Sequence, residues 1–377
     1  MNGDVLFCGA WDEGPGYPRT TSLRQGLAAS GVFVRECRVA GFGRDKQQLL
    51  RSPWRWPGAF WRQRRLRQQL CHDLQVAVQS CRPGCLVVPY PGHGIVRAVR
   101  AVSDVPIVLD LFLSAYDTVV EDRRLVAPGS LLAWWLQRLD RRACAAADLV
   151  LLDTPANAAY AAALTGLPAE RFAWLPVHDP EAVAPSPWPT APGPLQLLFF
   201  GTGVPLHGLD VLVAAVAKTP DVQLTLVGGT AADRELARTV LGRRLVLEPA
   251  FVSRLRLQEL IADSQLVAGV FGTSGKAQRV VPFKVVHALA AGRPVLTAET
   301  PAACQWLAGS GSTFFAPAGD PAALAAVLRE LAADRPRLAR AAHCARPTYE
   351  RHFGTERMAQ RWRELLARLP MRAGEAA

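Results

Sequence analysis

Apolar runs of strand length alternate with amphipathic stretches along most of this chain. Asp4–Cys8 (DVLFC), Val32–Val39, Cys85–Pro89 (CLVVP), Val105–Leu113 (VPIVLDLFL), Asp148–Leu152 (DLVLL) and Phe172–Val177 read as strands. Between them, Tyr17–Ala29, Ile95–Val102, Leu131–Ala147 and Asn157–Leu164 carry apolar residues at helical spacing. Leu23, Leu27 and Ala28 share a face of the first of these, and Trp134, Trp135, Leu136 and Leu139 supply the apolar positions of the third. Such alternation predicts an α/β domain with a mostly parallel sheet. It stops at residues 179–194, DPEAVAPSPWPTAPGP, where six prolines forbid a helix or a central strand. It restarts with Leu195–Phe200 and continues through Leu209–Ala217, Val222–Val227, Asp233–Leu241, Leu245–Leu247 and Ser253–Ser264. At 377 residues the chain suits two cores better than one. The expected division is a first domain over 1–178, a linker over 179–194, a second α/β domain over 195–345, and a helical segment over 346–377 that packs back toward the first domain. Two α/β domains joined in this way imply a cleft between them.

The most informative stretch is Leu266–Thr297, LVAGVFGTSGKAQRVVPFKVVHALAAGRPVLT. Leu266–Phe271 reads as a buried strand, Gly272–Gly275 as a break, and Lys276, Arg279 and Lys284 as positive charges beyond it. Pro282 suits a helix start, where its missing N–H costs nothing. Val285, Val286, Leu289 and Ala290 continue the helix until Gly292, and Pro294–Thr297 forms the next strand. A loop and helix start rich in backbone donors and cations point to an anionic ligand, most economically a phosphorylated one. A solvated run of surface charge is the alternative. A position after a buried strand, where open α/β sheets take their ligands, argues against it.

Charge supports a phosphate-bearing partner without selecting it. Forty-three Lys and Arg against 32 Asp and Glu leave a net charge of +11, which fits a nucleotide, an anionic membrane or a nucleic acid, or simply an Arg-rich codon composition. Residues 51–67 sharpen the membrane option. Trp54, Trp56, Phe60 and Trp61 lie among Arg51, Arg55, Arg62, Arg64, Arg65 and Arg67, a mixture suited to an anionic headgroup layer. A Trp face packed on its own domain, with a solvated basic face, is the plainer reading. Nothing else in the chain resembles a nucleic-acid module, so no nucleic-acid partner is expected. The start, MNGDVLFCGA, lacks the basic flank of a signal peptide, and no run is long enough to span a bilayer. The eight cysteines are scattered, with Cys81 and Cys85 the only close pair, and no zinc pattern is completed. Free thiols in a reducing cytoplasm are expected, on a protein that is cytoplasmic or peripheral on the inner face of the plasma membrane.

In the first domain the loops after strands hold the remaining candidates. Gly14, Gly16 and Tyr17 follow the first strand, but the full G-x-G-x-x-G spacing is missing, which counts against a nicotinamide site. His93 lies where a strand gives way to a helix. Asp110 is an acid amid apolar residues, which is costly unless it is paired or functional. Asp117, Glu121 and Asp122 make the loop after it acidic.

With these residues in view, the chain resembles the GT-B glycosyltransferases of the large retaining class (glycosyl transferases group 1, family 4-like). FFGTGVPLHGLDVLVAA, LTLVGG and VFGTSGKAQRVVPFKVVHALAAGRPVLTAETPA carry the resemblance most specifically, over 195–307. GPGYPR and ADLVLLDT fit it in the first domain. A subgroup with PLHG and K-x-x-R-V-x-P-x-K matches best. The resemblance implies an α/β fold of two Rossmann-like domains facing a cleft, with Gly201, Thr202, His207, Gly208, Gly228, Gly272, Lys276, Arg279, Lys284 and His287 binding a nucleotide sugar. Gly14, Gly16, Tyr17 and Asp117 would then face the acceptor. The commoner signature has two Glu eight positions apart; here they fall on Arg279 and His287, so the usual ribose contact changes, and His207 stands where a Lys is usual. His287 can still make one hydrogen bond there, or it is simply a packed helix residue.

The implied reaction is sugar transfer from a nucleoside-diphosphate sugar to a glycan or lipid-linked acceptor, in the building of a bacterial cell-surface polysaccharide or glycolipid. Negative charge grows on the departing phosphate, and fixed cations with helix dipoles would answer it without a metal or other cofactor. Lys284, Arg279, His93 and Asp110 are the catalytic candidates. Alternatives are a nucleotide-sugar epimerase on the same scaffold and a non-catalytic nucleotide-binding subunit.

Overall fold

The computed structural model describes residues 4–11, 18–40, 56–182, 184–190 and 192–370, with side chains from residue 64 onward in the helix Trp56–Cys81. Gly14, Gly16, Tyr17 and Trp54, together with the side chains of Trp56, Phe60 and Trp61, lie outside the described residues. The chain forms two compact units. One comprises 1–118, 126–177 and 358–377; the other comprises 119–125 and 178–357.

The first unit is a six-stranded parallel sheet in the order β2-β1-β3-β4-β5-β6. Its strands are β1 (Val5–Trp11), β2 (Val34–Ala40), β3 (Cys85–Val88), β4 (Ile107–Asp110), β5 (Leu149–Leu152) and β6 (Phe172–Trp174). Both sheet faces are covered, which is why β3, β4 and β5 are continuous apolar runs rather than alternating ones. Leu6, Leu86, Val88, Ile107, Leu109 and Val150 belong to one core. Val5, Phe7, Leu23, Leu27, Val87 and Val108 belong to another, which Met358, Trp362, Leu365 and Leu366 of the helix Thr355–Ala367 complete. Trp362 is buried and its indole N–H donates to the Leu23 carbonyl at 3.0 Å.

The second unit repeats the plan with the order β12-β11-β10-β7-β8-β9. Its strands are β7 (Leu195–Gly201), β8 (Val222–Gly228), β9 (Leu245–Leu247), β10 (Leu266–Ala268), β11 (Val295–Ala298) and β12 (Thr313–Ala316), all parallel. The strand order reverses at the neighbours β7 and β10, so the loops leaving those two strands flank a topological switch point, where such sheets bind ligands. The expected α/β fold of two Rossmann-like sheets is what forms.

Three local expectations change. The strand expected over Leu266–Phe271 ends at Ala268, because Gly269 packs its backbone against Thr297 and the chain leaves the ladder. The glycine break leads directly into a short helix, Gly275–Arg279, capped by Ser274. A helix over Arg335–Phe353 was hidden by Pro347, a residue that forfeits one backbone bond in a helix interior.

The proline-rich segment is not a free tether. Arg293, fully buried, donates to the carbonyls of Ser186 (2.9 Å), Pro187 (3.0 Å), Ile261 (3.0 Å) and Ala262 (2.8 Å) and to the Ser186 hydroxyl (2.5 Å). Trp188 Nε1 donates to the Gln265 carbonyl at 3.0 Å, and Gln265 Nε2 to that of Pro189 at 3.0 Å. Backbone carbonyls are full acceptors even in a proline-rich segment, and the five N–H donors of one guanidinium can serve several of them.

Candidate active site

The site is built on the switch point of the second unit. Residues 201–208 leave β7 and form a short turn, Pro205–His207, before the helix Leu209–Ala217. Phe271 N–H donates to the His207 carbonyl at 3.0 Å and Gly272 N–H to that of Leu206 at 3.1 Å, so the loops after β7 and β10 are zipped together. Gly208 makes this approach possible. Its φ is +58°, and a Cβ there would lie 2.5 Å from the Gly272 nitrogen. Gly228 closes β8 beside the same loop, where Gly229 N–H donates to the Gly201 carbonyl at 2.8 Å. Thr202 is exposed.

Two nitrogen-bearing side chains converge at Gly201. A Cβ on that residue would fall 2.7 Å from His207 Cε1 and 3.1 Å from Lys284 Nζ. His207 and Lys284 are 8% and 5% exposed, and neither His207 Nδ1 nor Lys284 Nζ has a hydrogen-bond partner among the described residues. The ammonium sits 3.7 Å from the centroid of the Phe199 ring. A cation–π contact supplies about 2 kcal/mol at best, whereas burying an ion costs several. Desolvation therefore wins, and the Lys284 pKa is pushed well down from its ordinary value. Burial, and then the Lys284 charge, push His207 from 6.5 to about 2.

The helix starts at this point are also open. Helices Leu209–Ala217 and Phe283–Ala290 begin at Gly208 and Pro282 with no side-chain cap. The neighbouring helices are capped by Thr230, Ser253, Ser274, Thr300 and Asp320. Uncapped N–H groups beside two buried, unsatisfied nitrogens form a cradle for an anion.

The other predicted residues of this unit separate from that pair. Lys276 is buried and engaged. Arg279 lies 3.6 Å from Glu121, and Ser274 Oγ donates to Asp122 at 3.2 Å. Glu121 and Asp122 come from the short segment 119–125, which belongs to this unit. His287 is held by rings, 5.9 Å from Phe200 and 5.6 Å from Phe283, with Nδ1 3.7 Å from Asp179. Burial lowers its pKa although Asp179 opposes the shift. His287, Asp179, Glu181, Ser186 and Gln258 line a surface cavity. Asp179 was not foreseen: it lies in the proline-rich segment, whose docking no periodicity announces.

In the first unit the structure gives Asp110 a different setting from a backbone-bound or reacting acid. Its carboxylate is fully buried and gripped by Arg19, with Nε at 3.0 Å and Nη2 at 2.7 Å. Arg19 also donates to the Leu175 carbonyl at 2.6 Å. Asp110 is thus half of a buried ion pair, with both short bonds on Oδ1 and Oδ2 3.3 Å from Arg19 Nε. His93 Nε2 lies 3.1 Å from Asp140, within charge range although the N–H is not aligned as a hydrogen bond. Asp140 also accepts from Ser114 Oγ (2.7 Å) and from the N–H groups of Ala115 and Tyr116 (3.0 Å each). Burial would raise the Asp140 pKa, but His93 and these donors bring it below its ordinary value. Asp117 is buried, and its N–H donates to Ser114 Oγ at 3.0 Å. Ser114 stands out in the sequence only as part of a polar loop, and Asp140 stands in no recognisable spacing.

The cysteines are all free, and burial raises the thiol pKa values of Cys8, Cys85 and Cys144, which makes them inert. Among the described residues, no three His, Cys, Asp or Glu side chains group to hold a metal, and no helix is long and apolar enough to cross a membrane.

Comparison with known proteins follows the same division. Residues 194–334 match the family model of Glycosyl transferases group 1. A search of curated proteins gives no match. Among solved structures, Anabaena HepE in complex with UDP is similar at 18% identity and a TM-score of 0.65, over 97% of this chain and 99% of that one. Sucrose-phosphate synthase from Thermosynechococcus elongatus is similar at 16% identity and a TM-score of 0.68, over 97% and 100%. The lipopolysaccharide outer core galactosyltransferase WaaB is similar at 11% identity and a TM-score of 0.60, over 97% and 99%. The chain has the GT-B fold of these glycosyltransferases, and its second unit carries the sequence pattern of Glycosyl transferases group 1.

Proposed function

We infer that this protein is a glycosyltransferase that moves a sugar from a nucleoside-diphosphate sugar to a glycan or lipid-linked acceptor. The observation that carries this reading is Lys284, a buried amine whose Nζ has no hydrogen-bond partner among the described residues, beside His207 and two uncapped helix starts. A bound diphosphate relieves all of these at once. Its charge stabilises the Lys284 ammonium, and its oxygens take the orphan donors. As the bond between the anomeric carbon and the diphosphate oxygen lengthens, negative charge grows on that oxygen, and donors already aimed there favour departure. HepE in complex with UDP shares the fold, and a uridine nucleotide is the first donor base to try.

The resemblance adds retention of anomeric configuration, with the acceptor attacking the face the phosphate leaves and the phosphate oxygen receiving its proton. In this scheme His287, steadied by Asp179, takes a ribose hydroxyl, and Arg279 shares the phosphate charge when Glu121 releases it. His93 remains a candidate for orienting the acceptor. Fixed cations do the work of a metal. A cell-surface polysaccharide or glycolipid is the product class that fits a lipid-linked acceptor.

The test is turnover with a panel of nucleoside-diphosphate sugars, scored for nucleoside diphosphate released with and without acceptor lipid. Transfer from one donor is expected, and Lys284→Ala lowers it by roughly a hundredfold or more. Isomerised donor without transfer would instead establish an epimerase. Binding without turnover of any donor would establish a binding subunit.

A further inference from the structure

The helix Leu131–Ala145 of the first unit is apolar on two faces where its packing requires one. Ala133, Leu136, Ala143 and Cys144 are buried, which accounts for its attachment to the sheet. Yet Leu131 is 87% exposed, Leu132 50%, Trp134 54% and Trp135 51%. Single exposed apolar residues are ordinary; four large ones within five positions are not. The exposed face then changes character along the helix. Arg138, Arg141 and Arg142 follow on the same side, all exposed, at the helical spacing of Leu131, Trp134 and Trp135. Arg138 lies 4.8 Å from the centroid of the Trp134 ring, and Arg141 is tied to the Thr165 carbonyl at 3.0 Å. The only acid of the helix, Asp140, is fully buried.

We propose that the exposed face of the helix Leu131–Ala145 docks on an anionic lipid surface, with Leu131, Leu132, Trp134 and Trp135 in the interfacial layer and Arg138, Arg141 and Arg142 on lipid phosphates. Charge complementarity selects this occupant. The face is basic and carries no carboxylate, so a second copy set against it across a two-fold axis would bring arginines together without a counter-charge. A bilayer offers what the face lacks, a continuous sheet of phosphates over an apolar layer. Tryptophan rings prefer that boundary, and arginine stems reach along apolar surface to set the guanidinium in the headgroups. This segment is distinct in sequence from the aromatic and arginine-rich residues 51–67. It deepens the lipid-linked acceptor reading by giving the enzyme a membrane-facing side.

Vesicle flotation tests it. The full chain is mixed with phosphatidylcholine vesicles with or without phosphatidylglycerol, at low and high salt, with no donor present. Flotation with the phosphatidylglycerol vesicles is expected, weakening with salt. Trp134→Ser/Trp135→Ser and, separately, Arg138→Glu/Arg142→Glu should each weaken it roughly tenfold or more. Arg138→Lys/Arg142→Lys should largely keep it, and the unfolding midpoint and nucleoside-diphosphate affinity of all these variants should match the parent. Undiminished flotation of the Ser or Glu variants overturns the proposal, as does no flotation of the parent. A parent dimer in light scattering that becomes monomeric in the Ser variant also overturns it, by assigning the face to a second copy. Lys284→Met separates the two readings: it should lose nucleotide and still float.

Discussion

The first unit buries Arg19 against Asp110; the second buries Lys284 with no carboxylate in contact among the described residues. Both are basic residues in the first turn of a helix of a parallel α/β unit. The difference lies in what answers the charge. Arg19 is answered within the fold, by two carboxylate oxygens and the Leu175 carbonyl, so its role is complete without a ligand. Lys284 is answered only by the Phe199 ring, and its pKa is depressed accordingly. A buried charge that is paired reports on folding, whereas one left unsatisfied reports on what the protein binds.

Breaking the paired cluster should have the largest effect on stability. Asp110→Asn leaves the Arg19 guanidinium buried without its counter-charge, and we expect a loss of about 3–5 kcal/mol, read as a lower denaturant midpoint. The unpaired cluster should respond the other way. Lys284→Met removes an unsatisfied buried group while keeping the stem, so the free protein should be unchanged or more stable by about 1 kcal/mol or more, in the same measurement. A large loss would mean that Lys284 has a structural partner. The smallest effect sharpens the contrast through pH. The folded His207 value of about 2 lies below the ordinary 6.5, so the unfolded chain binds the proton first as pH falls. Stability from this group is therefore full above about 6.5 and declines below it, at no more than about 1.4 kcal/mol per pH unit. Between pH 7 and pH 5 the denaturant midpoint of the parent should fall by more than that of His207→Asn; equal falls would contradict this.

The same contrast explains how far the sequence could be read. Period and punctuation reveal elements: Leu209–Ala217 and Leu245–Leu247 form over the residues expected, and the cations of the loop after β10 were visible as a run. Pairing is set by three-dimensional proximity, which no spacing encodes. Arg19 and Asp110 are 91 positions apart, so the sequence marked Asp110 as a conspicuous acid without revealing its partner. Lys276, Arg279 and Lys284 looked alike in sequence, and only burial and contacts separate Lys284 from an Arg279 that faces Glu121. The proline-rich segment read as a tether because the buried Arg293 that holds it sits a hundred residues downstream. Trp134, Trp135 and Leu136 read alike as apolar positions, because periodicity cannot say which side of a helix meets the sheet.

The most direct test of the central claim is calorimetric titration of the protein with uridine diphosphate in buffers of different ionisation enthalpy, for the parent and for Lys284→Met. If Lys284 is a neutral buried amine until phosphate arrives, the parent takes up a proton on binding, and the variant binds at least about tenfold more weakly with no such uptake. Equal affinity and equal proton uptake in parent and variant would contradict the account.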